Sequence, residues 1–118
     1  MAEISIMRKK SLAFSRRMVF LYRFLAEKKH EYILSKQVLR SGTSIGANIA
    51  EAQYASSRKD MLNKLYIALK ECAETLYWLE LLFTTDTLDE KQYHSIERDC
   101  EELRKMLSAA TKTLRENS

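Results

Sequence analysis

Apolar residues in this chain recur in four runs, at alternating steps of three and four. Phe14, Met18, Leu21 and Leu25 make the first run. Leu34, Val38, Ser41, Ile45, Asn48 and Ala52 keep the alternation in the second, with Ile49 beside them. Leu62, Leu65, Leu69, Cys72, Leu76, Leu79 and Phe83 form an unbroken heptad seam in the third. Tyr93, Ile96, Cys100, Leu103, Leu107, Ala110 and Leu114 form the fourth. Residues three and four apart stand on one face of a helix. A stripe that returns twice in seven residues is the pattern of left-handed bundle packing. The spacing predicts helices at about 11–28, 34–54, 58–83 and 88–115.

Polar residues mark the expected ends. Ser57-Arg58-Lys59-Asp60 resembles a capping box opening the third helix, and Thr87-Leu88-Asp89-Glu90 matches the box before the fourth. Lys28, Lys29 and His30 sit favourably at the carbonyl end of the first. The connections are short, which makes successive helices antiparallel neighbours. The predicted fold is a single-domain, all-α, up-down-up-down antiparallel four-helix bundle.

Composition agrees with this reading. The chain has 118 residues, no proline and only two glycines. A β-sandwich or barrel needs many turns and normally more of both. Charge adds something the stripes do not. The net charge is +4, but residues 1–40 carry ten basic residues against three acids, while 41–118 carry ten against thirteen. Positive charge is concentrated in the first helix and its flanks, which points to an anionic partner or a complementary subunit. No apolar run is long enough to span a membrane, and the N-terminus lacks the apolar core of a signal peptide. Two cysteines without a secretory signal imply reduced thiols and a cytoplasmic location.

Some side chains fall outside the stripes. Ile67, Tyr77, Trp78 and Leu81 lie off the third seam, and Leu12, Val19 and Phe20 lie off the first. A helix apolar on every side is usually buried on every side, so these residues are the expected contacts of a homo-oligomer. The plainer alternative is a wide core face with a few exposed aromatics. On the first helix Lys9, Arg16 and Arg23 repeat every seven residues, with Lys10 and Arg17 alongside. This ridge advances about 10 Å per step and can track a phosphate backbone, or it is an ordinary solvated face.

The sequence carries no recognisable catalytic constellation. His30 and His94 have no recurring ligand pattern, and Cys72 and Cys100 occupy seam positions suited to small core residues. A di-iron bundle site needs Glu-x-x-His on two helices, which is missing, so Glu51, Glu71 and Glu74 read as structural. Expected pairings are Lys70 with Glu74, and Glu51 with Arg40 or Lys70. No metal and no cofactor is expected. Asn48 falls on the apolar seam and reads as a buried amide that fixes helix register, with Ser44 one turn earlier in its network. Gly42 and Gly46 lie one turn apart, and with Ala50 they form a smooth stripe. Glycine costs about 1 kcal/mol inside a helix, so this stripe is expected to admit a second helix closely.

The same stretch carries a family resemblance. Gln37, Arg40, Ser44, Ile45, Asn48, Ile49, Ala50 and Glu51 resemble the pattern of bacterial four-helix-bundle proteins related to those encoded in intervening sequences of the 23S ribosomal RNA gene. Ser57 to Met61 and Ala68 to Glu71 resemble that family's third helix. Many members place glycine after the motif's glutamate; here it is Ala52, which removes one signal for a helix break. The resemblance implies an antiparallel bundle, a ring-shaped homopentamer and no catalytic residues. A distant relative, the accessory variability protein of diversity-generating retroelements, binds nucleic acid and a reverse transcriptase through a basic surface. The resulting expectation is a non-enzymatic accessory protein that binds RNA or DNA through Lys9, Lys10, Arg16, Arg17 and Arg23. The competing expectation is a protein–protein scaffold that binds no nucleic acid.

Overall fold

The computed structural model describes residues 2–117. It contains four helices in chain order, α1 (Ala2–Lys28), α2 (Leu34–Ala52), α3 (Arg58–Thr84) and α4 (Glu90–Glu116), and no strand among the described residues. The bundle measures 46 × 21 × 19 Å. Its long axis fits a 27-residue helix at about 1.5 Å per residue. α2 packs between α1 and α3, and α4 packs closely on α3 and more thinly on α1. α1 lies diagonally across the core from α3, as α2 does from α4. The expected all-α antiparallel bundle is present.

α1 begins well before the expected residue 11, at Ala2. Ile4, Met7 and Ser11 extend its three-four alternation backwards, and all three are buried. The basic run that follows Met7 interrupts the apolar reading, but its three side chains stay exposed while the stripe continues beneath them, so it does not end the helix. α2 stops at Ala52, two residues short of the expected end and without a following glycine. Instead Gln53, Tyr54 and Ala55 donate backwards to the carbonyls of Ala50, Glu51 and Ala52 in tight turns.

The seam of α3 differs from the expected one. Leu65, Cys72 and Leu79 are central, but their partners are Ala68, Thr75 and Leu82 rather than Leu69, Leu76 and Phe83. The latter three are only half-buried. The small residues Ala68 and Thr75 take the axis, where bulk is least tolerated, and leucines cover the flank. Thr75 Oγ1 lies 2.9 Å from Ser41 Oγ of α2, so two buried hydroxyls satisfy one another across the helices.

The two caps are built differently. Ser57 Oγ accepts from Asp60 N at 3.0 Å, while the Asp60 carboxylate accepts from Ser56 N at 3.1 Å, one residue before the usual partner. For α4 the box starts at Asp89 and not at Thr87: Asp89 Oδ1 accepts from Gln92 N at 2.7 Å, and Gln92 Oε1 accepts from Asp89 N at 3.1 Å. Thr87 and Leu88 donate their amides to Leu82 O, closing α3, and Leu88 is buried. Asp86 adopts φ +61 and His30 φ +54 in the turns, so neither glycine serves a left-handed position.

The glycines do admit a helix. A Cβ on Gly42 would stand 2.5 Å from Cγ and Sδ of Met18 in α1. One on Gly46 would stand 3.1 Å from Ser15 Oγ and 3.3 Å from the Ser11 carbonyl. These contacts hold α1 against α2, and α2 therefore fixes how α1 presents its outer face.

Candidate nucleic-acid interface

The five basic residues expected to bind nucleic acid divide into two sets. Lys10 and Arg17 turn toward α4. Lys10 Nζ is 2.6 Å from Glu102 Oε1, and Arg17 Nη1 is 2.7 Å from Asp99 Oδ2, with further bonds from Arg17 to Ser95. Both bridge the thin α1–α4 seam, over a cleft of about 230 Å³ that they line with Ala13, Asp99 and Glu102. Lys9, Arg16 and Arg23 are exposed on the opposite side of the helix from the Phe14–Met18–Leu21 core stripe. These three make no ion pair among the described residues.

Leu12 and Phe20 share that outward face, 61% and 57% exposed, interleaved with the free cations at helical spacing. The Arg23 guanidinium carbon is 5.7 Å from the Phe20 ring centroid. Val19, two turns after Leu12, is half-buried. α1 as a whole holds seven basic residues against two acids, whereas α3 and α4 each hold equal numbers. The charge asymmetry of the sequence is thus concentrated in one helix, and its cations without an ion pair at Lys9, Arg16 and Arg23 share one face of it.

The off-seam residues of α3 lie on the diagonal helix. Tyr77 is 61% exposed and meets Trp78 edge-on at 5.3 Å. Ile67, Trp78 and Leu81 are half-buried, and Trp78 packs on the core. Trp78 Nε1 donates to Glu74 Oε2 at 3.0 Å. Arg40 of α2 bonds Glu71 at 3.3 Å and also Glu74. The bond to Trp78, and then that to Arg40, hold the Glu74 carboxyl below the usual carboxylate range. Sequence reasoning missed this Arg40–Glu74–Trp78 cluster and assigned Glu74 to Lys70. The available signal was the Glu71/Glu74 spacing, which places two carboxylates on one flank of α3 opposite α2.

The remaining motif residues are also structural. Asn48 is half-buried, not fully buried, and its amide donates to Ser44 O and Oγ at 2.9 and 3.1 Å, the network expected with Ser44. Glu51 pairs with Lys64 at 3.1 Å rather than with Arg40 or Lys70. Gln37, Arg40, Ser44, Asn48 and Glu51 recur at helical spacing on one side of α2, where Arg40 and Glu51 reach partners on α3. Cys72 and Cys100 are buried, with Cys100 Sγ 3.8 Å from the Cys72 carbonyl. Hydrogen bonding to Cys72 and burial push the Cys100 thiol far up, so it stays protonated and unreactive. Among the described residues no group of three or more His, Cys, Asp or Glu could hold a metal ion. Nor, among the described residues, is any helix long and apolar enough to cross a membrane.

No curated protein matches the chain. It is similar to the crystal structure of a protein of unknown function from the S23 ribosomal protein family of Bacteroides thetaiotaomicron. The identity is 52%, with 93% of this chain and 98% of that chain covered, and the TM-score is 0.92. Residues 3–109 match the family described as 23S rRNA-intervening sequence protein. That match takes in the core stripes of α1, α2 and α3 and most of α4, and the chain therefore belongs to the 23S rRNA-intervening sequence protein family.

Proposed function

We propose that this chain is a non-enzymatic, oligomeric accessory protein that binds RNA or DNA through the outer face of α1. The observation that carries this reading is the unpaired trio Lys9, Arg16 and Arg23, aligned on a helix with a surplus of five positive charges. Cations already neutralised by carboxylates gain little from phosphate, and free ones release counterions when they bind it. Lys10 and Arg17 support the face by holding α1 to α4 and reach phosphate only by exchanging Glu102 and Asp99 for it.

Self-association uses a different surface. The exposed Tyr77, with Trp78 against it and Leu81 one turn on, lies on α3, diagonal to α1, and Ile67 extends the same helix's off-seam residues toward its start. Subunits that meet through α3 leave each α1 face open, and a closed ring sums their fields. The family resemblance favours five subunits. A reverse transcriptase or other nucleic-acid enzyme is a further partner that the resemblance supports.

Fluorescence anisotropy with labelled RNA and DNA across a salt series tests the reading. Binding should weaken steeply with salt, and the Arg16→Glu/Arg23→Glu variant should bind more weakly with a flatter slope. No binding at low salt would favour the scaffold, and an unchanged slope would remove these residues from the interface.

A further inference from the structure

We propose that the α1 face takes single-stranded nucleic acid, with a base stacked on the Phe20 ring between the phosphate-binding side chains of Arg16 and Arg23. This rests on the reading that α1 binds nucleic acid. Phe20 lies off the seam among the expected subunit contacts; in the structure Arg23 approaches its ring, and Leu21, Phe24, Leu88 and Ile96 line a shallow apolar groove beside it on the α4 side. Arg16 stands one turn before it and Arg23 one turn after, roughly 6 and 4.5 Å along the axis. Neither cation has a carboxylate partner among the described residues. An apolar subunit contact that buried Phe20 would bury both guanidinium groups with it, at a desolvation cost that an unpaired cation does not recover.

A nucleic-acid strand satisfies all three groups. Phosphates meet the cations, and the ring offers a flat apolar surface of the kind that bases stack on. Arg23 over the ring holds its orientation before the ligand arrives. Leu12, two turns before Phe20, continues the apolar track toward Lys9. A duplex can use the cations but not the ring, because its bases are already stacked and paired. The face therefore discriminates by strandedness.

The test measures anisotropy of a labelled 20-nucleotide oligouridylate or oligothymidylate and of its duplex, with wild type, Phe20→Ala and Phe20→Tyr. Circular dichroism confirms that each variant keeps its helices, and light scattering reports its mass. The single strand should bind more tightly than the duplex. Phe20→Ala should weaken single-strand binding roughly 5- to 150-fold and leave duplex binding and oligomeric mass unchanged, and Phe20→Tyr should restore it. If duplex and single strand bind alike and Phe20→Ala affects neither, stacking is refuted while nucleic-acid binding stands. If neither oligonucleotide binds at low salt, both readings fall. A fall in mass on Phe20→Ala would make the ring a subunit contact and overturn the inference. So would Phe20-dependent binding to vesicles of phosphatidylserine and phosphatidylcholine without oligonucleotide binding.

Discussion

Replacing Gly42 by alanine sets two effects of known size against each other. Alanine in a helix interior is favoured over glycine by about 1 kcal/mol, so a freely exposed Gly42 would gain that much. The structure denies the gain, because the new methyl would sit 2.5 Å from Cγ and Sδ of Met18. Met18 is itself fully buried, so its side chain must push into the core and cannot swing into solvent. Overpacking of this kind costs about 1–3 kcal/mol, which leaves Gly42→Ala destabilised by about 0–2 kcal/mol. Gly46→Ala is the control. Its methyl meets two serine hydroxyls that can rotate and one helical carbonyl that cannot, at 3.1–3.3 Å, so gain and crowding nearly cancel. The decisive measurement is a double-mutant cycle by urea unfolding at fixed protein concentration. Met18→Ala alone opens a cavity worth about 2–5 kcal/mol. In the double variant the alanine at 42 grows into that space, so the loss should fall short of the sum by about 1 kcal/mol or more. Additive losses, or a Gly42→Ala protein more stable than wild type by the full 1 kcal/mol, would refute the close approach of α1 and α2 at this point.

Three further outcomes follow from the geometry. Asp89→Ala should lose about 1 kcal/mol through its cap, whereas Thr87→Ala should lose far less; equal losses in thermal unfolding would return the cap to Thr87. Burial, with hydrogen bonding to Glu97, pushes the Tyr93 phenol up to about 12, against about 10 in the unfolded chain. The folded state then holds the proton more tightly, so stability is lost as pH rises from about 10 to 12. Tyr93→Phe keeps a ring to stack on Phe83 and should flatten that alkaline loss, and an unaltered slope in pH-dependent urea midpoints would count against the assignment. Tyr77→Asp should lower the oligomeric mass in light scattering while helicity holds. It is a cleaner probe than Trp78→Asp, because Trp78 also packs on the core and donates to Glu74. A wild-type monomer at micromolar concentration would end the assembly reading.

The three-four alternation alone determined the number of helices, their order and the antiparallel bundle. It did so because burial of a stripe is the only way such a sequence removes its leucines from water. Helix ends were less legible. The start of α1 was hidden because Arg8, Lys9 and Lys10 mask a stripe that Ile4, Met7 and Ser11 continue on the other side. The Thr87 box failed because Leu88 is drawn into the core and the chain turns two residues later at Asp89. Tertiary structure decided everything that depends on how far each helix rotates about its own axis. Only packing could place Ala68 and Thr75 on the α3 axis, pair Glu74 with Arg40 and Trp78, and turn Lys10 and Arg17 onto α4 while Lys9, Arg16 and Arg23 stayed free. A heptad fixes which residues share a face to within one position. A rotation of that size leaves the hydrophobic energy nearly unchanged but alters which polar group lies within bonding distance of which.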